Sequence, residues 1–216
     1  MENFTQKPGE TAREYAQRYL LYQIINLNFE PGQKISDVEI SKELNISRTP
    51  VREAILSLTN GQLIESYPQR GIFVSLINSE IVEQVCTMRK MIEGPLAEMS
   101  CALVTQSNLD NLYDTITLQK DYASGGPREN FEKFLSLDIA FHKEFYDICG
   151  MSFIYDTMQN VMPHFDRQRK LSYHIAICRA LENKDPAAAG RAMVEHISTA
   201  LVDQGILKKK FPDYFL

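Results

Sequence analysis

From Asn78 to Leu216 the apolar residues recur at helical spacing, and almost no stretch alternates as a half-buried strand does. A chain patterned this way over most of its length cannot build a doubly wound sheet or a β-sandwich. The spacing predicts six helices, at roughly 79–103, 107–123, 129–149, 152–169, 171–183 and 186–204. Asp185-Pro186 marks the start of the last, with Asp at the N-cap and Pro in the first helical position. Ser124-Gly125-Gly126-Pro127 separates the second from the third, and Pro95 inside the first should bend it. The expected architecture is an antiparallel all-α bundle.

The first 76 residues read differently. A helix over about Glu10–Asn26 places Tyr15, Tyr19, Tyr22 and Ile25 on one face, with Leu21 at its edge. Pro31-Gly32 turns the chain. Ser36 or Asp37 can cap a short helix that ends at Leu44. Asn45-Ile46-Ser47 makes a tight connection, and Ser47 can cap a third helix from Arg48 to about Asn60, closed by Gly61 in the manner of a C′ glycine. Pro50 is tolerated in its first turn, where no intrahelical acceptor exists. Two strands, 63–67 and 72–75, then flank Pro68-Gln69-Arg70-Gly71. The expected fold is mainly α: a winged helix-turn-helix over 1–76, then the bundle over 77–216, joined around Leu76-Ile77-Asn78.

The net charge of -5 at first argues against a nucleic-acid partner. Its distribution does not. Residues 1–76 hold eight basic and nine acidic side chains, net -1, so -4 belongs to the remainder. No uncharged stretch exceeds 11 residues, which excludes a transmembrane helix of ordinary length. The opening MENFTQKPGETAREY lacks a basic segment followed by an apolar run, so no secretory signal is expected and the cytoplasm is the expected compartment. Cys86, Cys101, Cys149 and Cys178 show no CxxC spacing and read as reduced, mostly buried thiols.

Arg48 and Arg52, four apart, share a face at the start of the third helix, while Val51, Ile55 and Leu58 occupy another. Two guanidinium forks there suit the major groove, where they can grip phosphate or read guanine O6 and N7. Thr49 can add a hydroxyl contact. Arg70-Gly71 at the hairpin tip suits a wing, because Gly permits close backbone approach and Arg reaches phosphate or the minor groove. Two arginines on a helix also fit a solvated face with local salt bridges. The helix order, the cap and the wing arginine together favour DNA.

In the bundle, Phe131, Phe134, Leu135, Phe141, Phe145, Ile148 and Cys149 define one stripe, and Asp138 and His142 fall inside it. His174 shares a stripe with Ile177, Cys178 and Leu181, and His196 with Ala189, Ala192, Met193 and Ala200. One carboxylate and three imidazoles converging in a core suit a divalent metal, Zn first, with Ni, Mn or Fe also suited. A buried Asp–His hydrogen bond without metal competes with this reading. His164, after Pro163, reads as a helix-end or surface residue.

Two stretches carry a resemblance. SDVEISKELNISRTPVREAILSLTNGQLIESYPQRGIFVS is similar to the winged helix of the GntR regulator superfamily. Its DNA-contacting positions correspond to Arg48, Thr49, Arg52, Arg70 and Gly71. Val38 stands where some members have an Arg, which implies a different operator preference. MRKMIEGPLAEMSCAL, LDIAFHKEFYDICG and YHIAICRALENKDPAAAGRAMVEHI resemble the FCD ligand-binding domain of the FadR subfamily. In its metal-binding members the ligands correspond to Asp138, His142, His174 and His196. Tyr173 stands where an acidic residue often precedes the His. Arg89 corresponds to a position that often faces the effector cavity. Beside a metal it suits a small carboxylate, one oxygen on the metal and the other on the guanidinium. A structural salt bridge to Glu93, four residues on, fits Arg89 equally well.

The expectation is therefore a homodimeric regulator, a repressor rather than an activator. It would bind an inverted-repeat operator in double-stranded DNA and respond to a small organic acid. Two other classes compete. A di-iron bundle enzyme needs Glu-x-x-His pairs, but Ile139, Val161, Leu171 and Met193 precede the four histidines by three. A regulator switched by cysteine oxidation, without a small effector, is the other.

Overall fold

The computed structural model describes residues 4–123, 128–167 and 175–216. They form two compact units, one running to Ser79 and taking in Lys208–Leu216, the other Glu80–Leu207.

The first unit opens with α1 (Ala12–Ile25). Thr11 caps it reciprocally: its hydroxyl accepts from the Glu14 backbone N–H, and the Glu14 carboxylate accepts from the Thr11 N–H. Its buried face is Tyr15, Ala16, Tyr19, Leu20 and Ile24. Tyr22 and Ile25, expected inside, are only half-buried. The core under α1 reaches the Leu20 and Ile24 side of the helix, because α1 packs against α3 (Arg48–Asn60). Between them lies α2 (Asp37–Glu43), capped by Ser36, whose hydroxyl accepts from Glu39 N–H. Asn45, with φ of +53°, makes the left-handed residue of the turn into α3, a conformation Asn tolerates.

Val51, Ala54, Ile55 and Leu58 bury the inner face of α3. Its end departs from expectation. Gly61 has φ of -79°, and the left-handed residue is Gln62 at +58°. Ser47 stands at the N-cap, but its side chain makes no cap bond. The hairpin β2 (Ile64–Tyr67) and β3 (Gly71–Val74) forms as expected, and a strand that sequence reading missed, β1 (Lys34–Ile35), pairs antiparallel with β3. The sheet order is β1-β3-β2. The C-terminal segment belongs to this unit, although the division at 76/77 assigned it to the bundle. Ile77 N–H donates to Tyr214 C=O, and Leu216 N–H to Ile77 C=O.

The second unit is helical throughout its described residues: α4 (Ser79–Leu103), α5 (Gln106–Ala123), α6 (Arg128–Ile148), α7 (Ser152–Met158), α8 (Met162–Asp166), α9 (Ile175–Glu182) and α10 (Pro186–Lys210). α4 continues through Pro95 as one helix. The helix expected over 152–169 is two, broken before Pro163, which sits in the first turn of α8 where its missing N–H costs nothing. Asp185 caps α10 as expected, accepting from Ala188 N–H. α5 packs on α6 and α9. Phe134, Leu135, Phe141 and Phe145 of the α6 stripe are buried, whereas Ile148 and Cys149 reach its edge; the Phe131 side chain and the Ser124–Pro127 connection lie outside the described residues. Gly94 lets α10 approach closely, since a Cβ there would meet the Val194 side chain at 2.9 Å. That approach brings α10 beside the polar interior of α4 and α6.

Candidate functional site

Two sets of residues carry chemistry, one in each unit. In the first, Arg48, Thr49 and Arg52 are all exposed at the start of α3. The unfilled cap at Ser47 leaves the first N–H groups of α3 open to an anion. Both arginines share one carboxylate that sequence reading took only as a possible cap. Arg48 Nη2 lies 3.0 Å, and Arg52 Nε 2.6 Å, from Asp37 Oδ2. Burial works to raise the Asp37 carboxyl, but hydrogen bonds from Arg52 and Arg48 outweigh it and hold the carboxyl below its usual range.

At the hairpin tip, Arg70 is exposed and its guanidinium lies 5.3 Å from the Tyr67 ring centre. Gly71 is required by its backbone conformation, and the Lys34 side chain lies over it. The Gly71 φ is +118°, and a Cβ there would come within 2.6 Å of Lys34 Cε.

In the second unit, Asp138 and His142 of α6 and His196 of α10 are buried with one ligand atom from each, all within 4.8 Å of one another. The two imidazole Nε2 atoms are 2.9 Å apart. Asp138 Oδ2 stands 4.0 Å from His142 Nε2, beyond direct hydrogen-bond reach. His174 lies outside the described residues, as does Tyr173.

Glu93 of α4, which sequence reading named only as a partner for Arg89, organises this cluster. Its Oε2 is 2.6 Å from His142 Nδ1, and its Oε1 accepts from Arg89 Nε at 2.6 Å. Arg89 Nη2 adds a second bond to Oε2 at 3.0 Å. Burial favours the neutral acid, but Arg89 and then His142 hold Glu93 well below the usual carboxylate range. An ionised Glu93 accepts the proton of His142 Nδ1, so Nε2 is the basic nitrogen, and Nε2 is the atom facing Asp138 and His196. Burial, then the Arg89 charge, also push His142 down to about 4, so the imidazole is neutral at pH 7, the form a metal takes. The donor set fits a transition metal: a carboxylate and two imidazoles, that of His142 neutral, with ligand atoms close enough to share one ion.

The salt bridge offered for Arg89 is present, and Arg89 is also 1% exposed under the Phe165 ring, 4.6 Å from its centre. It nevertheless lines a cleft together with Glu93, His142, Tyr146, Met158 and Asp166. The cleft measures about 20 Å³, room for one or two waters. Asp166, also missed, is buried near Arg89. His164 is no surface residue: it is buried in α8, with Nδ1 3.5 Å from Arg167 Nη2. It follows Pro163 in the first turn of α8, a helix buried along its whole length.

Comparison with known proteins bears on both sets. Residues 13–74 match the family of bacterial regulatory proteins called gntR, and residues 84–199 match the FCD domain. The HTH-type transcriptional repressor RspR of Escherichia coli K12 is 28% identical over 96% of this chain and 95% of its own. The Nta operon transcriptional regulator of Aminobacter aminovorans is 23% identical, over 80% of this chain and 85% of its own. Among solved structures, E. coli McbR/YncC superposes with a TM-score of 0.71 at 16% identity, covering 93% of this chain and 99% of that one. Among the described residues, no helix is long and apolar enough to cross a membrane.

Proposed function

The chain belongs to the gntR family of bacterial regulatory proteins, in its FCD-bearing form, and on that premise we propose that it is a metal-bearing, organic-acid-responsive repressor. Its family are DNA-binding transcription regulators and not enzymes. The observation that carries the finer reading is the buried Asp138, His142 and His196 cluster, of which His142 also lines the cleft beside Arg89.

Asp138, His142 and His196 hold a divalent transition metal, Zn first among Zn, Ni, Mn and Fe. His174, which the sequence places immediately before α9, completes the set. A small carboxylate puts one oxygen on the metal and the other on Arg89, whose Nη1 side is not taken by Glu93. The cleft has room only for water-sized molecules, so an acid enters only as lining side chains give way. A ligand that binds the opened arrangement better than the closed one can thereby shift DNA affinity. Repression is supported by the relative named as a repressor. A regulator that reads operator DNA works in the cytoplasm, and that is the compartment this reading implies.

Oxidation of a cysteine suits the structure less well. Cys86, Cys101 and Cys178 are buried, and burial pushes the Cys178 thiol up to about 12, far from a reactive thiolate.

Arg48, Thr49, Arg52, Arg70 and Gly71 form the operator-reading face. With DNA enriched from a randomised library, Arg52→Ala is expected to weaken specific binding by about 1–3 kcal/mol if Arg52 grips a guanine bidentately. Unchanged affinity in an anisotropy titration sinks that assignment.

Two copies act together on an inverted repeat. Met91, Pro95, Met99 and Leu103 step along one exposed side of α4, with Met91 72% exposed. Such a ridge is where a second bundle packs. Losing one buried Met is worth about 1.5–3 kcal/mol, so Met91→Arg is expected to raise the dimer dissociation constant at least tenfold. Sedimentation equilibrium unchanged from the parent protein would place the dimer contact elsewhere.

A further inference from the structure

Asp37 is the first residue of α2, and it reaches across to the start of α3. It accepts from Arg52 Nε at 2.6 Å and from Arg48 Nη2 with both oxygens, at 3.0 and 3.2 Å. The exposures are unequal in an informative way. The Asp37 side chain is 13% exposed, while Arg48 and Arg52 are 50% and 63% exposed. The carboxylate sits behind the guanidiniums and leaves their outer edges uncovered. A carboxylate that blocked the arginines would stand in front of them.

We propose that Asp37 is a positioning and specificity residue for operator recognition, bracing Arg52 and Arg48 from behind while their outer donors face DNA. The inference rests on the reading of Arg48 and Arg52 as DNA contacts. On Arg52 the brace takes Nε and leaves Nη1 and Nη2, the pair that can bridge guanine O6 and N7. On Arg48 both carboxylate oxygens hold Nη2, and Nη1 is left outside the brace for a phosphate contact. Arg52 is thus the base reader and Arg48 the anchor.

The brace acts in two ways. A long side chain held in one direction loses less freedom on binding, so the specific complex gains. The negative charge also cancels one of two positive charges at the protein–DNA boundary. That weakens attraction to phosphates of any sequence. Both effects widen the gap between specific and non-specific binding without adding a contact to DNA. The ordinary alternative is that Asp37 merely favours the start of α2 through the helix dipole.

The test uses the full chain, a duplex enriched from a randomised library, and a scrambled duplex of equal length, titrated by anisotropy at several salt concentrations. Asp37→Asn is expected to lower the specific-to-scrambled affinity ratio about tenfold or more, with scrambled binding held or strengthened. The salt slope should steepen by up to about one phosphate contact. Ser36→Ala, which removes the α2 cap and leaves the brace, should lower the melting temperature and keep the ratio. A ratio unchanged by Asp37→Asn reduces Asp37 to a helix-start residue, and equal tightening on both duplexes makes it a competitor of DNA instead. Should Asp37→Asn melt below the assay temperature, Asp37→Glu carries the test. It keeps the charge and displaces the brace, so the ratio should still fall by about threefold or more; an unchanged ratio overturns the proposal. Arg52→Ala on the same duplexes separates the failures. If it leaves specific affinity intact, the reading of α3 fails; if it weakens binding while Asp37→Asn keeps the ratio, only the brace does.

Discussion

The His142→Ala/His196→Ala double variant is expected to lose stoichiometric divalent metal by elemental analysis, while the parent chain retains close to one equivalent per subunit. Both side chains lie in the core, His142 3% and His196 8% exposed, with their Nε2 atoms facing each other. The proposed site comes together only when α6 and α10 are packed, so affinity for a metal there would also be folding free energy. At metal one hundredfold above its dissociation constant the parent gains about 2.7 kcal/mol. For a domain of this size that raises the melting temperature by about 5–10 °C. The double variant should show no metal-dependent shift. The same melts, run with small organic acids, test the effector reading, because a carboxylate bridging metal and Arg89 stabilises only the metal-loaded parent. Equal metal in parent and double variant removes the cluster from consideration. An acid shift that survives chelation removes the bridging carboxylate and leaves the metal untouched.

The legible parts of this chain are those where local pattern and tertiary demand agree. Asn45-Ile46-Ser47 turns, Asp185-Pro186 caps, and the α6 stripe carries Asp138 and His142 inward with Phe134, Phe141 and Phe145, because a helix that buries one face buries everything on it. What escaped depends on partners far along the chain. β1 is two residues long and exists only because β3, nearly forty residues later, offers a free edge. Nothing in Lys34-Ile35 alternates for long enough to announce it. The face of α1 was misjudged by about one residue because its tyrosines are amphipathic: Tyr22 can stay at the boundary while Ala16, Leu20 and Ile24 take the core. Asp37 looked like a cap because caps are local, and its two arginines become neighbours only when α2 and α3 close on their turn. Glu93 was visible as an i,i+4 partner for Arg89, but its second bond, to His142, crosses from α4 to α6.

That second bond makes Glu93→Ala the most damaging single substitution we expect. Arg89 and Glu93 are 1% and 2% exposed, and the carboxylate raises the Arg89 pKa despite burial, so the guanidinium is charged and almost wholly buried. Deleting the carboxylate leaves that charge in the core, at a cost of about 3–5 kcal/mol. Chemical denaturation reads this as a lowered midpoint; a midpoint within error of the parent means Asp138 and Asp166 neutralise Arg89 well enough without Glu93. Replacing both partners, as Arg89→Met with Glu93→Leu, removes the charge with its partner and should recover most or all of the loss. Metal affinity should not recover with it. His142 would still lack the acceptor that holds the proton on Nδ1 and presents Nε2 to the metal, and loss of such a partner costs about 10–100-fold. Stability restored with metal affinity still low assigns Glu93 two separable jobs. Both restored together would make its bond to His142 a packing contact with no part in the metal centre.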